Sequence, residues 1–350
     1  MGNNTSITEH KRHYYRELLC IGVPIIIGQL GTIILGFADT LMIGHHSTEE
    51  LAAAGLVNNI ITFILVSYMG FSYGLTPIIG KLYGMEKTDE IGQKVKNSFF
   101  ANMVVGVIFS LALIILYFNL HRIGQPEELL ALIRPYFIVN LVSVLFVGVF
   151  NTLKQFLDGI GNTKVAMWVM IMGNIVNIFG NWVLIYGVGP CPEMGLLGAG
   201  ISTLASRVLM AVAMVGIIAV TKEYREYRNN IIASRINGAD FREMNRLGWP
   251  VALQLALESG AFTLSCVMVG WLGTIPLAAH QVMITISQLF YLVLSGMAAA
   301  LAIRVSHFVG QNDFAAVRRN AYDGWRLNLL FSLCMGIPVL LLRHQIGGWF

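Results

Sequence analysis

Two acidic side chains lie inside long apolar stretches of the sequence. Asp39 falls within the stretch 18–44, and Glu258 falls within the stretch 249–272. A carboxylate at membrane depth costs several kcal/mol, roughly 2.5–3.5 on insertion scales, so it is a functional candidate by default. Such a group can exchange H⁺ or bind Na⁺, and we predict that both acids couple ion movement to a conformational change. The alternatives are a hydrogen bond to a neighbouring helix, or a position near enough to the surface for the acid to stay hydrated.

Three asparagines lie at helical spacing in another apolar stretch. A helix presents Asn174, Asn177 and Asn181 on one face, because they are three and four residues apart. Amides in an apolar span need hydrogen-bond partners. One interpretation is hydrogen bonding between membrane helices, worth about 0.6 kcal/mol for each bond. The other is that this face approaches Asp39 and completes a site for a cation and water.

Four residues are candidates for lining a substrate cavity or for gating, namely Asn174 and three further residues, Pro24, Thr203 and Gln281. Pro24 removes a backbone donor and can permit a bend that acts as a gate, although membrane helices also tolerate proline for structural reasons. A packed polar side chain is the alternative interpretation of Gln281 and the favoured one for its neighbour His280.

The sequence carries no motif of a known enzyme class. HExxH, GxSxG and Walker A motifs are missing, and the four cysteines form no CxxC pair. We therefore predict that the protein is not an enzyme, that it has no cofactor, and that no metal binds apart from Na⁺ at Asp39 or Glu258. Without a nucleotide-binding motif, energy for any driven process would have to come from an ion gradient.

The composition excludes a water-soluble globular fold. Apolar residues make up 56% of the chain, charged residues make up 12%, and the mean hydropathy is +0.68, whereas soluble domains are about 25% charged. Continuous apolar runs of about 20 residues predict membrane helices and not barrel strands. A turn-forming cluster at 273–276 divides the longest run. The predicted fold class is an all-α integral membrane protein, a polytopic helical bundle with spans at 18–44, 52–78, 99–119, 134–154, 165–187, 197–220, 249–272, 277–301 and 325–342.

The positions of the basic residues predict the topology. Nineteen of the 23 Lys and Arg residues fall at the N terminus or in alternate loops, and such loops are retained on the cytoplasmic side. The N terminus is therefore predicted to be cytoplasmic, in a multi-pass protein of a cell membrane, with a bacterial inner membrane expected. The first 17 residues have no apolar segment typical of a cleaved signal peptide. The basic residues indicate orientation, and no nucleic-acid partner is expected.

The chain aligns with itself at an offset of 226 residues. Over about 80 residues without a gap the alignment pairs Gly22 with Gly248, Pro24 with Pro250, Gly70 with Gly296 and Gly84 with Gly310. A unit of six spans inserts twice in the same orientation, so an axis along the membrane normal relates the copies, and a central cavity lies between them. The predicted domains are a cytoplasmic tail (1–17), an N-lobe (18–221), a basic linker (222–246) and an incomplete C-lobe (247–350).

The repeat also predicts that three spans of the second copy are absent. Phe350 corresponds to position 124, just after the third span of the first copy. A complete chain is then expected to have twelve spans and about 450 residues. We expect the 350 residues alone to give a folded N-lobe, a loosened C-lobe and no coupled transport.

These features together resemble the multidrug and toxic compound extrusion (MATE) family, particularly its NorM-like branch. The resemblance covers essentially the whole chain and is carried by FADTLMIG at 37–44, FLDGIGNT at 156–163, NIFGNWVLIYG at 177–187, GLLGAGIST at 195–203 and AAHQ at 278–281. It implies two six-helix lobes and extrusion of cationic amphipathic compounds against Na⁺ or H⁺. It also implies that Asp39, Asn177 and Asn181 form the N-lobe site and that Glu258 is the C-lobe cation acid.

The chain departs from the family pattern at two places. Asn181 stands where one branch has an aspartate, which matches the NorM-like branch and leaves Asp39 as the N-lobe carboxylate. The C-lobe acid expected on span ten lies beyond the chain. The predicted function is a monomeric cation-coupled drug antiporter. The alternatives are a lipid-linked oligosaccharide flippase of the same superfamily and an integral membrane enzyme. A flippase would be expected to have several cations in the cavity, whereas Arg207 is the one Lys or Arg residue that lies within a predicted span and away from its ends.

Overall fold

The computed structural model describes residues 2–123 and 126–341, and these residues form a helical bundle. In lipid, the backbone polar groups have to be satisfied within each segment, so long apolar runs form continuous helices. The helices are α1 (Gly2–His46), α2 (Thr48–Tyr73), α3 (Leu75–Gly84), α4 (Thr88–Phe118), α5 (Glu127–Gly159), α6 (Thr163–Ile185), α7 (Gly195–Val220), α8 (Arg225–Ala233), α9 (Gly238–Gly270), α10 (Thr274–Gly310) and α11 (Phe314–Leu341).

Nine helical segments of the described residues are long and apolar enough to cross a membrane. The predicted number of spans is confirmed. The division of the longest run into two helices is confirmed as well, but the break lies at 271–273, because α9 ends at Gly270 and α10 begins at Thr274. Gly273 in this connection has a φ of 114°. A side chain at that φ would be strained, so the tight connection requires glycine.

Three predicted spans end too early. The eighth, predicted to end at 301, continues to Gly310 in α10. The second continues beyond 78 through α3 to Gly84. The fourth was predicted to end at 154, with Lys154 and the residues after it in a loop, but α5 runs to Gly159. Lys154 donates to Asp158 at 2.6 Å, and Asp158 is 3% exposed. Charges one helical turn apart can be buried as a pair. A boundary set at the first charged residue therefore ends the fourth span too early.

The first six membrane-spanning segments pack mainly against one another, and α9 to α11 join them at one side. α6 contacts both α1 and α7, while α5 contacts α2, α4 and α7. α9 lies against α2, α10 lies against α1 and α3, and α11 packs on α10. The N-terminal helix therefore lies between α6, which carries the asparagines, and α10.

The helices approach most closely at the end of the bundle that carries the turn 85–87, the turn 160–162 and α8, which we call the basic end. A Cβ atom added to Gly84 would overlap the backbone of His307, and one added to Gly310 would overlap the carbonyl of Lys81. Gly84 and Gly310 are paired by the sequence repeat. A second repeat-related set of contacts joins Gly70 to Ala252 and Gly296 to Ile26. The close contacts of α2 with α9 thus have counterparts between α10 and α1, as an approximate two-fold relation requires.

Candidate cation-coupling site

Asp39 lies on α1, seven residues and thus about 10 Å before the helix ends. α1 packs along α6, and this packing brings the carboxyl group against the asparagine face of α6. The Asn181 side-chain nitrogen donates to Asp39 Oδ1 at 2.5 Å. Asn181 is fully buried, with 0% of its surface exposed, whereas Asp39 is half-buried. The carboxylate is therefore held by Asn181 on one side and remains accessible on the other.

Asn177 lies one turn before Asn181 and connects the site to α7. Its amide oxygen accepts from Asn181 Nδ2 at 3.1 Å, and its nitrogen donates to Thr203 Oγ1 at 3.2 Å. With the amide turned over, its nitrogen donates to Asp39 Oδ1 at 3.1 Å and its oxygen accepts from Thr203. In both orientations Asn177 joins Thr203 to the group around Asp39. We call Asp39, Asn177, Asn181 and Thr203 the Asp39 cluster.

One oxygen of this cluster accepts no hydrogen bond from the described residues. Asn181 Oδ1 is buried and has no hydrogen-bond partner among the described residues. A buried acceptor in an apolar bundle is costly unless something donates to it or binds it. Carboxylate, amide and hydroxyl oxygens are the ligands that hard cations prefer. The cluster therefore offers a proton site at Asp39 and a set of oxygens suited to an alkali cation.

A second layer of polar side chains surrounds the cluster and was not assigned to it from the sequence. Arg207 donates to Ser143 Oγ at 2.5 Å, and the Tyr136 hydroxyl donates to Asn58 Oδ1 at 3.0 Å. Arg207 and Tyr136 both lie close enough to Asp39 to interact with its charge. Arg207 could have been found as a cation within a span. Tyr136 and Asn58 carry no such signal, because tyrosine and asparagine also occur in spans as ordinary packing residues.

Glu258 lies in a different environment on α9. It is half-buried, and its carboxyl group interacts with the Tyr291 side chain of α10. α9 packs against α2 and α10, and no bond among the described residues joins Glu258 to the Asp39 cluster. The two acids singled out by sequence therefore occupy separate sites.

The remaining candidates lie at three further places. Pro24 is buried inside α1, which continues through it as one helix. Asn174 faces α1 at Gly31, and its side-chain nitrogen is buried without a partner among the described residues. Gln281 is exposed and makes a weak 3.8 Å contact with the sulfur of Cys266. The structure thus brings two of the three asparagines to Asp39, while Asn174 lies on α6 about two turns before Asn181.

An unpredicted polar group lies near the basic end of α5. Thr76 donates to Gln155 Oε1 at 2.6 Å, beside the Lys154–Asp158 pair. Gln155 Nε2 and Asp158 Oδ1 are buried without partners in the described part of the chain. The sequence signal for this group was the FLDGIGNT segment, which contributed to the family resemblance without a role being assigned to it.

Comparison with known proteins agrees with this architecture. The sequence pattern of the MatE family matches residues 24–183 and 250–350. A probable multidrug resistance protein NorM from Photorhabdus laumondii is 31% identical over 324 residues, which are 93% of this chain and 71% of that protein. The multidrug resistance protein NorM from Photobacterium profundum is 27% identical over 341 residues, which are 96% of this chain and 74% of that protein.

Solved structures share the fold at low sequence identity. A crystal structure of a MATE protein in the straight conformation superposes with a TM-score of 0.86 at 20% identity, covering 96% of this chain and 75% of that one. A multidrug resistance MATE transporter in the outward-facing conformation superposes with a TM-score of 0.82, also at 20% identity, covering 96% and 74%. From the family pattern and the NorM relatives, we conclude that this chain belongs to the MatE family of multidrug efflux transporters.

Proposed function

We propose that the protein is a secondary active antiporter that exchanges Na⁺ or H⁺ for cationic amphipathic compounds by alternating access. The observation that carries this proposal is the Asp39 cluster, in which an intramembrane carboxylate is anchored by Asn181 next to an unpartnered amide oxygen. The two NorM relatives are named multidrug resistance proteins, which supports drugs as the substrates. The distribution of basic residues supports a cytoplasmic N terminus in the cell membrane.

Asp39 would couple the two fluxes through its charge. A proton or a Na⁺ ion bound at Asp39 cancels the negative charge, and its release restores a carboxylate that attracts a cationic compound. A ligand shifts a conformational equilibrium only through a difference in its affinity for the two states. Asp39 is half-buried, and its exposed part gives an ion access to the carboxyl group. Asn181 and Asn177 hold that carboxyl group between α1 and α6. Ion binding is thereby connected to the helix that also packs against α10.

Glu258 would serve as a second cation acid. It lies on α9 and interacts with Tyr291 of α10, so neutralising it would change the contact between these two helices. Because no bond within the described part of the chain joins it to the Asp39 cluster, the two acids would act through helix movement and not through direct contact. We therefore assign Asp39 to the exchange of ion for substrate and Glu258 to ion-dependent release.

The flippase alternative has weaker support. A lipid-linked oligosaccharide carries phosphates, which would favour several cations in the cavity. Among the described residues around Asp39, Arg207 is the cation that interacts with it, and Arg207 also donates to Ser143. One arginine beside a carboxylate suits a cationic substrate better than a diphosphate.

Dye transport by everted membrane vesicles tests the proposal. Vesicles containing the full-length protein receive a cationic dye while a Na⁺ gradient or an H⁺ gradient is imposed separately, with vesicles lacking the protein as the control. We expect one of the two gradients to drive dye accumulation. Accumulation that is independent of both gradients, or that needs ATP, would contradict the antiport mechanism.

A further inference from the structure

Two cavities meet at Arg16 and Cys20 on the first helix, near the basic end. One cavity, of about 630 Å³, is bounded mainly by apolar side chains of α1, with Arg16 and Lys164 at its edge. The other, of about 460 Å³, lies between α1, α3 and α10 and contains Arg304 and His307. Neither cavity includes a residue of the Asp39 cluster. An apolar cavity thus opens beside a cationic one.

The apolar cavity follows one face of α1. Leu19, Val23 and Pro24 form its wall together with Tyr15. Val23 keeps 41% of its surface exposed. From Arg16 to Pro24 the helix rises by about 12 Å. The wall is therefore long enough to lie alongside a substantial part of an acyl chain.

Two cations lie at the mouth of this groove. Arg16 and Lys164 are both exposed, and neither forms a salt bridge or a side-chain hydrogen bond within the described ranges. Glu17, the acid nearest to them in the cavities, pairs with Arg304 at 2.7 Å. Among the described residues, the mouth of the groove therefore carries a net positive charge.

The start of α6 adds a second, independent attraction for an anion. α6 begins at Thr163, whose hydroxyl donates to the Ile21 carbonyl of α1 at 3.0 Å, so this helix end lies against the groove. The residue before it, Asn162, does not cap the helix, because its amide donates to the Tyr224 hydroxyl at 2.7 Å. The first backbone N–H groups of a helix bind anions when no side chain satisfies them.

We propose that this groove binds an anionic phospholipid. The phosphate lies between Arg16, Lys164 and the start of α6, and an acyl chain lies along Leu19, Val23 and Pro24. A soluble anion would pair with the cations but would leave the apolar wall uncovered. An uncharged lipid would cover the apolar wall but would leave the cations unpaired. Basic pockets between membrane helices are known to take lipid head groups. The bound lipid would contact α1 at the level where it packs against α10, and would thereby favour the closed basic end.

Cys20 lies in the wall of both cavities and is exposed, so it can report occupancy. In a variant with Cys191→Ser, Cys266→Ser and Cys334→Ser, the rate of alkylation of Cys20 by a maleimide is measured in a neutral detergent. The additives are dioctanoyl phosphatidylglycerol, dioctanoyl phosphatidylcholine and inorganic phosphate. We expect phosphatidylglycerol alone to slow the reaction several-fold.

A matched pair of double variants tests the cations. Arg16→Gln with Lys164→Gln is expected to abolish the protection, whereas Lys222→Gln with Arg225→Gln, an equal loss of charge elsewhere at the basic end, is expected to preserve it. If the first double variant is not recovered folded, the single variants Arg16→Gln and Lys164→Gln should each reduce protection. Four outcomes would each overturn the proposal: equal protection by phosphatidylcholine, protection by inorganic phosphate, protection that survives loss of the cations, or no protection at all.

Discussion

The two intramembrane acids differ in how the protein holds them. Asp39 accepts a hydrogen bond from a fully buried asparagine and lies within a network that joins α1, α6 and α7. Glu258 has Tyr291 as the described partner for its carboxyl group, on the neighbouring helix. The sequence could not distinguish them, because each is one acid in an apolar run. Their surroundings indicate a fixed site at Asp39 and an adaptable one at Glu258.

The difference extends to the helices that carry the two acids. In α9 and α11 only 6% of the most apolar window is buried inside the bundle, against 22–39% in the first six spanning segments. A polar group that packs among several helices is held by all of them, whereas one on a sparsely covered helix is held by few. We therefore expect substitutions in the two regions to have different effects, both in kind and in size.

The largest effect is expected at Asp39. Asp39→Asn removes the group that changes charge and should abolish ion-driven dye efflux while the protein remains folded, because the substitution removes a costly ionisable group. The measurement is gradient-driven dye transport at matched protein abundance. Asp89→Asn, at the exposed start of α4, is the matched control and should transport normally. Efflux by Asp39→Asn equal to that of the unmodified protein would show that the coupling site lies elsewhere.

The next largest effect concerns stability at the Lys154–Asp158 pair. Lys154→Met leaves a buried carboxylate without its cation, and breaking a buried pair in this way costs about 3–5 kcal/mol. Thermal unfolding in detergent should therefore shift strongly downward. The double variant Lys154→Met with Asp158→Leu removes both charges and should recover most of the loss.

Arg318→Met gives the corresponding comparison on α11. Its side chain is exposed, and an exposed charge contributes about 0–1 kcal/mol. The unfolding temperature should change little. A loss at Arg318 as large as that at Lys154 would contradict the difference between the two regions.

The sequence predicted the helices better than their contacts. The number of spans and the division of the longest run into two helices follow from apolar run length and from glycine and proline, which are local properties. The ends of the second, fourth and eighth spans do not. At the fourth, the Lys154–Asp158 pair is neutral only once the helix has formed. Helical spacing placed Asn174, Asn177 and Asn181 on one face, but only the packing of α1 on α6 decides which of them meets Asp39. Tyr136 and Asn58 come from other helices and could not be assigned without the fold.

A smaller effect is expected at Glu258, because fewer contacts depend on it. Glu258→Gln cannot change charge, so release of bound dye should lose its dependence on the ion while dye still binds. Equilibrium dye binding with and without the ion measures both quantities in one experiment. Tyr291→Phe removes the hydroxyl partner but retains the acid, and should weaken the ion dependence without abolishing it. Unaltered ion dependence in Glu258→Gln would remove this residue from the coupling mechanism.

The smallest effect is expected at Asn174, which separates the two interpretations of the asparagine face. Its side-chain nitrogen faces Gly31 on α1 and has no partner in the described chain, so Asn174→Ala removes an unsatisfied donor and should leave stability and coupling unchanged. Asn181→Ala is the matched substitution two turns away. It removes the donor that stabilises the empty, charged Asp39 carboxylate, so proton binding should strengthen about tenfold, the effect of a hydrogen bond to a charged group worth about 1.5 kcal/mol. If the ion is Na⁺, its binding should instead weaken, because the unpartnered Asn181 oxygen is lost as a ligand. The ion concentration that half-saturates dye release measures both variants. Equal effects of the two substitutions would mean that the cation site extends along the whole asparagine face, and that the contact between Asn181 and Asp39 does not define it.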